Sequence, residues 1–268
     1  MTASPSSRAY AYGHLDVTVA ILERPAAEVT ACLPRGLSLA RQTMTPTGTH
    51  PMLLMFGEHS HVRQWFRPPS SGGSYGEWIV ATPFIDWTDA HGRVSPWAHM
   101  SRLFLNSPWF VVLGWLYAYP KMLARVSAPA GAYSVSTLLR ARPRVEMRWE
   151  RAGPVVPWGD FPGSPRLAPV FEQPFIERFS PLPWLGSRMW FDLERASIQP
   201  ARAHVKLQPG CAPGLPAMTV DAGSIIDGLP GAFRLSCDWM LSRPYLASRL
   251  PSALRTLPAS DLRGPHHV

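Results

Sequence analysis

Lysine is nearly missing from this chain. Of 26 basic residues, all but Lys121 and Lys206 are arginine. Cysteine is scarce too: Cys32, Cys211 and Cys237 are odd in number, far apart and without C-x-x-C spacing, which argues against a disulfide framework or a thiolate metal site and makes a reducing, cytoplasmic setting the expectation. Long hydrophobic runs are absent. The most apolar stretch, Trp109 to Tyr119, has eleven residues, whereas a bilayer span takes ~20, so it reads as a core element and no membrane contact is expected. Met1 to Tyr12 lacks the apolar segment of a secretory signal, and the mature chain is expected to start at Met1. A Gly-rich phosphate loop is also lacking: Ser70-Ser71-Gly72-Gly73-Ser74 follows prolines, leads into a strand and reads as a hairpin turn.

What is present suffices for a sizeable core. The chain has 268 residues, 46% of them apolar, which fits a single domain over residues 1–250 with a frayed tail over 251–268. The net charge of +8 comes from scattered arginines. No helix-turn-helix, zinc or RNP-like pattern accompanies it, so no nucleic-acid partner is expected.

Thirty prolines forbid long helices and favour strands joined by turns, so the chain reads as mainly β (α+β) with a few short helices. Leu15 to Leu22 sets Leu15, Val17 and Val19 opposite Asp16 and Thr18, the pattern of a half-buried strand, and Pro25 opens a short helix over Ala26 to Leu33. Arg140 to Glu150 alternates charged with apolar positions, and Arg202, His204 and Lys206 oppose Ala203, Val205 and Leu207; a solvated sheet face accounts for those charges. Eight prolines lie from Pro154 to Pro183 without sustained periodicity. That segment reads as a long loop that either drapes over a pocket or joins two halves of the fold. Pro230 is placed to start a helix with Phe233, Cys237, Met240 and Leu241 on one face.

Lys121 stands apart. Its neighbours from Gly114 to Ala124 are apolar or aromatic. Where arginine serves as the general surface cation, a lysine kept in a dry setting points to chemistry that needs an amine able to lose its proton. Desolvation disfavours the charged form of an amine, and a free amine attacks a ketone to form a Schiff base. The competing reading is a lysine whose stem lies on apolar surface while its head reaches water. Among the aromatics Trp65, Phe66, Trp78, Trp87, Trp97, Trp109, Phe110 and Trp115, most read as core, and Trp115 and Tyr119, beside Lys121, as candidates to line a site. Glu58-His59-Ser60-His61 places two histidines at alternate strand positions, facing the same way, but no third metal ligand accompanies them.

The segment Ala118-Tyr119-Pro120-Lys121-Met122-Leu123 resembles the Tyr/Phe-Pro-Lys-Lys-Leu signature of the acetoacetate decarboxylase family, whose first lysine forms the Schiff base; Lys121 takes that position. Tyr75-Gly76-Glu77-Trp78-Ile79-Val80-Ala81-Thr82-Pro83 is similar to the family's Tyr-x-Glu-x5-Pro stretch, and Glu77 takes the place of its active-site glutamate. Leu33-Pro34-Arg35-Gly36-Leu37 looks like the family's Leu/Val-Pro-x-x-Leu turn. The resemblance implies an acetoacetate decarboxylase-like β-barrel, a homo-oligomer, no added cofactor or metal, and a small carbonyl compound as partner. It makes Lys121 and Glu77 the catalytic pair and Tyr119, Trp115, Met122 and Tyr75 substrate contacts.

Four departures fall on the chemistry. The second lysine of the signature is Met122, the family's Gly-Arg-Glu is Leu113-Gly114-Trp115, its amino-terminal arginine falls near Leu15, and a second glutamate falls near Leu54, with Glu58 close by. The expected pocket is therefore larger and more apolar than one for acetoacetate. It suits a Schiff-base lyase for a bulkier keto acid or ketone, acting by decarboxylation or aldol/dehydration chemistry, or a catalytically inactive module that binds an apolar molecule.

Overall fold

The computed structural model describes residues 9–64, 72–89, 92–116, 119–129, 131–138, 143–178, 183–211, 215–226 and 229–249. The expectations placed on Trp65, Phe66, His91, Arg140, Arg142, the start of the Ser70–Ser74 turn and the tail 251–268 lie outside them.

Among the described residues the chain is mainly strand, with three short helices, of which the first, α1, spans Ala26–Cys32. Nine strands build the frame: β1 (Ala9–Pro25), β2 (Thr49–Gln64), β3 (Gly73–Asp89), β4 (Gly92–Leu105), β5 (Lys121–Ser127), β6 (Ala132–Thr137), β7 (Val145–Arg151), β8 (Ser197–Leu207) and β9 (Ala232–Ser242). They pair in the order β4-β5-β6-β7-β8-β9-β1-β2-β3, and β3 pairs back onto β4, so the sheet closes in a ring. Every junction is antiparallel except β4–β5, which is parallel with Leu103 beside Lys121. A parallel junction needs a crossover, and helix α2 (Pro108–Leu116) supplies it.

Both faces of much of this sheet are buried. The ring interior is a packed core to which every ring strand contributes, among them Leu22, Leu54, Phe56, Trp78, Phe104, Ala124, Tyr133, Met147, Val205 and Ala232. Across it Phe56 stacks on Tyr133 at 4.5 Å. The outer face of β9, β1, β2, β3 and β4 carries a second apolar layer, roofed by α2, by α3 (Ser164–Phe171) and by the short strands Phe175–Glu177 and Met189–Phe191. Thr18 was therefore not on a wet face: it is fully buried inside the ring, its hydroxyl donating to Tyr133 Oη at 3.4 Å. The alternation read in β7 and β8 holds, with Val145, Met147, Ala203, Val205 and Leu207 buried and Glu146, Arg148, Arg202, His204 and Lys206 exposed.

Three expectations change. Pro230 starts no helix; Ala232–Ser242 is strand β9. Phe233, Leu235, Cys237 and Trp239 also recur with period two, and pairing to β1 on one side and β8 on the other satisfies the backbone without a helix. The proline-rich segment is not structureless: it holds the strand Val156–Pro157, a single 3₁₀ turn Trp158–Asp160, α3 and Phe175–Glu177. The run Trp109 to Tyr119 is only half a core element, since Val111 and Leu113 are buried on α2 while Trp109, Val112 and Trp115 are exposed.

Candidate active site

Lys121 opens β5 directly after Pro120, and its main chain is pinned twice: its N–H donates to Tyr119 O at 2.7 Å, and Trp115 Nε1–H donates to its carbonyl at 2.7 Å. Its side chain runs along α2 at Gly114, where the helix passes so close that a Cβ would sit 2.4 Å from Lys121 Cδ. The stem is thereby steered toward β3. Nζ ends 3.9 Å from Glu77 Oε2, with 15% of the lysine side chain exposed.

Glu77 projects from the outer face of β3, opposite Gly57 of β2 and Leu105 of β4, and is 3% exposed. Burial raises its carboxyl above the usual range; the Lys121 charge and a hydrogen bond from Tyr75 pull part of that back. Tyr75 lies two residues earlier on the same face. Its ring stacks on His59 with centroids 4.5 Å apart and packs on Phe110 at 4.4 Å, and Lys121 Nζ lies 5.7 Å from its centroid. Tyr119 closes another wall, its hydroxyl hydrogen-bonded to Ser187 and its ionisation pushed up by burial.

These groups face a cavity of about 130 Å³ between the outer face of the sheet and its roof, comparable to a cavity that holds a small aromatic ring. Leu15, Val17, Leu53, Met55, Ile79, Leu103, Phe171, Phe191 and Trp239 are among its walls. Among the described residues that line it, Lys121 is the one lysine or arginine and Glu77 the one carboxyl group.

No family model matches the chain, and no curated protein does. Solved structures do. Acetoacetate decarboxylase from Legionella pneumophila matches at 11% identity over 89% of this chain and 87% of that one, with a TM-score of 0.60. The chain has the acetoacetate decarboxylase-like fold. The enduracididine biosynthesis enzyme MppR complexed with pyruvate matches at 12% identity over 92% and 91% of the two chains, TM-score 0.58. An acetoacetate decarboxylase-like enzyme from Sphingomonas wittichii matches at 13% over 91% and 94%, TM-score 0.57.

On this acetoacetate decarboxylase-like fold the expected site residues divide. Lys121, Glu77, Tyr75 and Tyr119 line one cavity; Trp115 and Met122 do not. Met122 follows Lys121 in a strand and so points to the opposite face, where it is 38% exposed and its sulfur accepts from Arg102. Trp115 sits on the outward side of α2, 54% exposed, and acts on the site through its bond to the Lys121 carbonyl. By the same parity Leu54 belongs to the ring interior, while its neighbours Leu53 and Met55 reach the cavity. Glu58 is exposed, while Leu15 does line the cavity.

The two histidines do not face the same way. A bulge between His59 and Val62 and a left-handed backbone at His61 (φ 53°) leave His61 exposed and His59 buried beside Glu77. Sequence reasoning had His59 only as a weak metal ligand. Its place opposite Tyr75, with Gly57 opposite Glu77, follows from the same two-residue period that sets Tyr75 beside Glu77, but only once β2 and β3 are known to pair in this register.

Proposed function

We propose that this protein is a Schiff-base-forming enzyme of lyase type, with Lys121 as the amine that condenses with a ketone and Glu77 as the group that moves protons. The observation that carries the reading is Nζ at 3.9 Å from a buried carboxyl inside an apolar cavity. The amine form of Lys121 attacks the carbonyl carbon, and the carbinolamine loses water with a proton from Glu77. The resulting iminium accepts the electron pair of the neighbouring C–C bond as it breaks, giving carbon dioxide from a β-keto acid or an aldehyde from a β-hydroxy ketone. Protonation of the enamine and hydrolysis return the lysine. The condensation product of pyruvate and imidazole 4-carboxaldehyde in another MppR structure supports carbonyl chemistry on this fold.

Borohydride reduction in the presence of pyruvate, longer keto acids and neutral ketones, followed by peptide mass analysis, tests the proposal. An adduct at Lys121 is the expected result; no adduct with any of them refutes it. A second reading, a binding module without turnover, draws on the scarcity of charge in the cavity. It is the better one where Lys121→Arg leaves ligand-induced quenching of Trp239 and the other tryptophans unchanged and no imine forms.

A further inference from the structure

Two buried polar groups in the cavity are left unused by the Lys121–Glu77 pair. His59 is 5% exposed, and neither of its ring nitrogens has a hydrogen-bond partner within the protein. Stacking on Tyr75 and edge-on contact with Trp239 at 5.4 Å hold the ring in one orientation. Nε2 is 3.6 Å from Glu77 Oε2, beyond hydrogen-bonding range. Farther along β2, past the bulge, Gln64 presents Oε1 to the same cavity, also without a partner. Buried polar atoms left unpaired cost stability, and an apolar ligand would leave that cost in place.

The charges narrow the ligand further. Lys121 is the one lysine or arginine among the described lining residues, and in an imine its nitrogen is bonded to the carbonyl carbon. The positive charge then left among the described lining residues is that of the iminium itself, and a carboxylate placed away from it would face Glu77 with no cation to pair with. His59 does not take over that duty, because burial and the Lys121 charge push its ionisation down to about 3, so it stays neutral. A neutral imidazole offers one donor and one acceptor.

We infer that the cavity takes an uncharged ketone bearing a second oxygen on the β-carbon, with His59 hydrogen-bonding that oxygen while Lys121 holds the carbonyl carbon. Glu77 Oε2 is 3.6 Å from one nitrogen and 3.9 Å from the other, so the two are no farther apart than the sum of the contacts, about 7.5 Å, a gap that such a skeleton bridges. With a β-hydroxy ketone the consequence is aldol cleavage. The hydroxyl, held by His59, gives its proton to Glu77; the bond between the α- and β-carbons breaks; its electron pair flows into the iminium, and an aldehyde leaves. Glu77 returns the proton to the enamine carbon, and water releases the shorter ketone. The inference rests on the reading of Lys121 as the ligand-binding amine.

The test uses matched probes sized to the cavity: methyl propyl ketone, its β-hydroxy derivative, and the keto acid with the same propyl chain. In the wild-type protein the hydroxy ketone should be trapped by borohydride about tenfold better than methyl propyl ketone, and the keto acid least. His59→Phe should bring the hydroxy-to-deoxy ratio down to about one, and His59→Asn, which keeps a donor and an acceptor, should restore part of it. Because each ratio is taken within one protein, a loss of folded fraction does not mimic the effect. An unchanged ratio in His59→Phe, or a keto acid trapped best by the wild type, overturns the inference. Where no probe is trapped at all, the Schiff-base reading has failed by itself, and the same ratios read by calorimetric binding still decide the role of His59.

Discussion

Gly114 makes the sharpest test of how the site is built. It lies in α2, where a Cβ would meet Lys121 Cδ at 2.4 Å and Cγ at 2.8 Å, against roughly 3.5–4.0 Å for carbon atoms at rest. In Gly114→Ala the lysine stem must therefore move by about 1 Å or swing to another rotamer. A misplacement of that size costs on the order of 10²-fold in rate. The backbone effect has the opposite sign, since alanine in place of glycine favours a helix by up to ~1 kcal/mol, worth roughly 2 °C in melting temperature for a chain of this size. The expected result is thus a protein as heat-stable as the wild type, or slightly more so, whose imine forms about 10²-fold more slowly. Melting curves and a time course of borohydride trapping with a neutral ketone read the two quantities on one sample. Trapping at the wild-type rate would show that the passage of Lys121 beside the helix does not aim its amine, and would refute the reasoning.

Glu77→Gln keeps the size of the side chain and removes the proton carrier, so trapping should slow by ~10²–10⁴-fold; an unchanged rate would take Glu77 out of the mechanism. Glu177, 3% exposed, accepts from Met100 N–H at 2.6 Å, while its other oxygen, 3.6 Å from His99 Nδ1, has no hydrogen-bond partner, and burial raises its carboxyl well above 4.5. Between 4.5 and that raised value the folded state holds the extra proton. Its stabilising contribution is therefore present at low pH and is lost as pH rises, by about 1.4 kcal/mol per unit. Buried His59 and His99, both lowered, act in the opposite sense below 6.5, so the informative quantity is the difference between Glu177→Gln and wild type. That difference in melting temperature should grow as pH rises above 4.5, and a constant offset would contradict the assignment. Phe56→Ala removes a fully buried ring stacked on Tyr133 and should cost about 3–5 kcal/mol in chemical denaturation, while the rate of trapping per folded molecule stays at the wild-type value; a slower rate would mean that the ring interior shapes the cavity.

The sequence carried the strands with one wet face most clearly, because in Val145–Glu150 and Arg202–Leu207 a period of two is written in charge against aliphatic residues. It failed where both faces are covered. Thr18 looked solvent-facing because a hydroxyl in an alternating strand usually is, and β9 fitted a helical spacing as well as a strand spacing because Met240 and Leu241 blur its alternation. Lys121, Glu77, Tyr75 and Tyr119, singled out by the two motifs, line one cavity. Met122 and Trp115 lie off it for one reason: nearness in sequence is not nearness in the cavity, since a strand turns successive side chains apart and α2 turns Trp115 outward. His59 escaped because its role depends on the register of β2 against β3, which no local pattern fixes.

That register explains how the protein can keep a hollow on one face of its sheet. Along β2 and β3 the residues that meet the cavity alternate with residues that fill the ring: Leu53 with Leu54, Met55 with Phe56, Glu77 with Trp78, and Ile79 with Val80. The ring interior supplies dense apolar burial, at ~25 cal/mol per Å², immediately behind Glu77, where Trp78 fills the ring. A buried carboxyl group would weaken a thin sheet. Here Glu77 lies on a backbone clamped by that indole on the reverse face, so its cost is met without slack in the position of the carboxyl group, whereas the reverse face beside His59 carries exposed Glu58. A one-residue slip of β2 would exchange the two sets, placing His59 in the packed interior and Phe56 in the cavity. Fold stability and site geometry therefore depend on the same pairing and are lost together if it shifts.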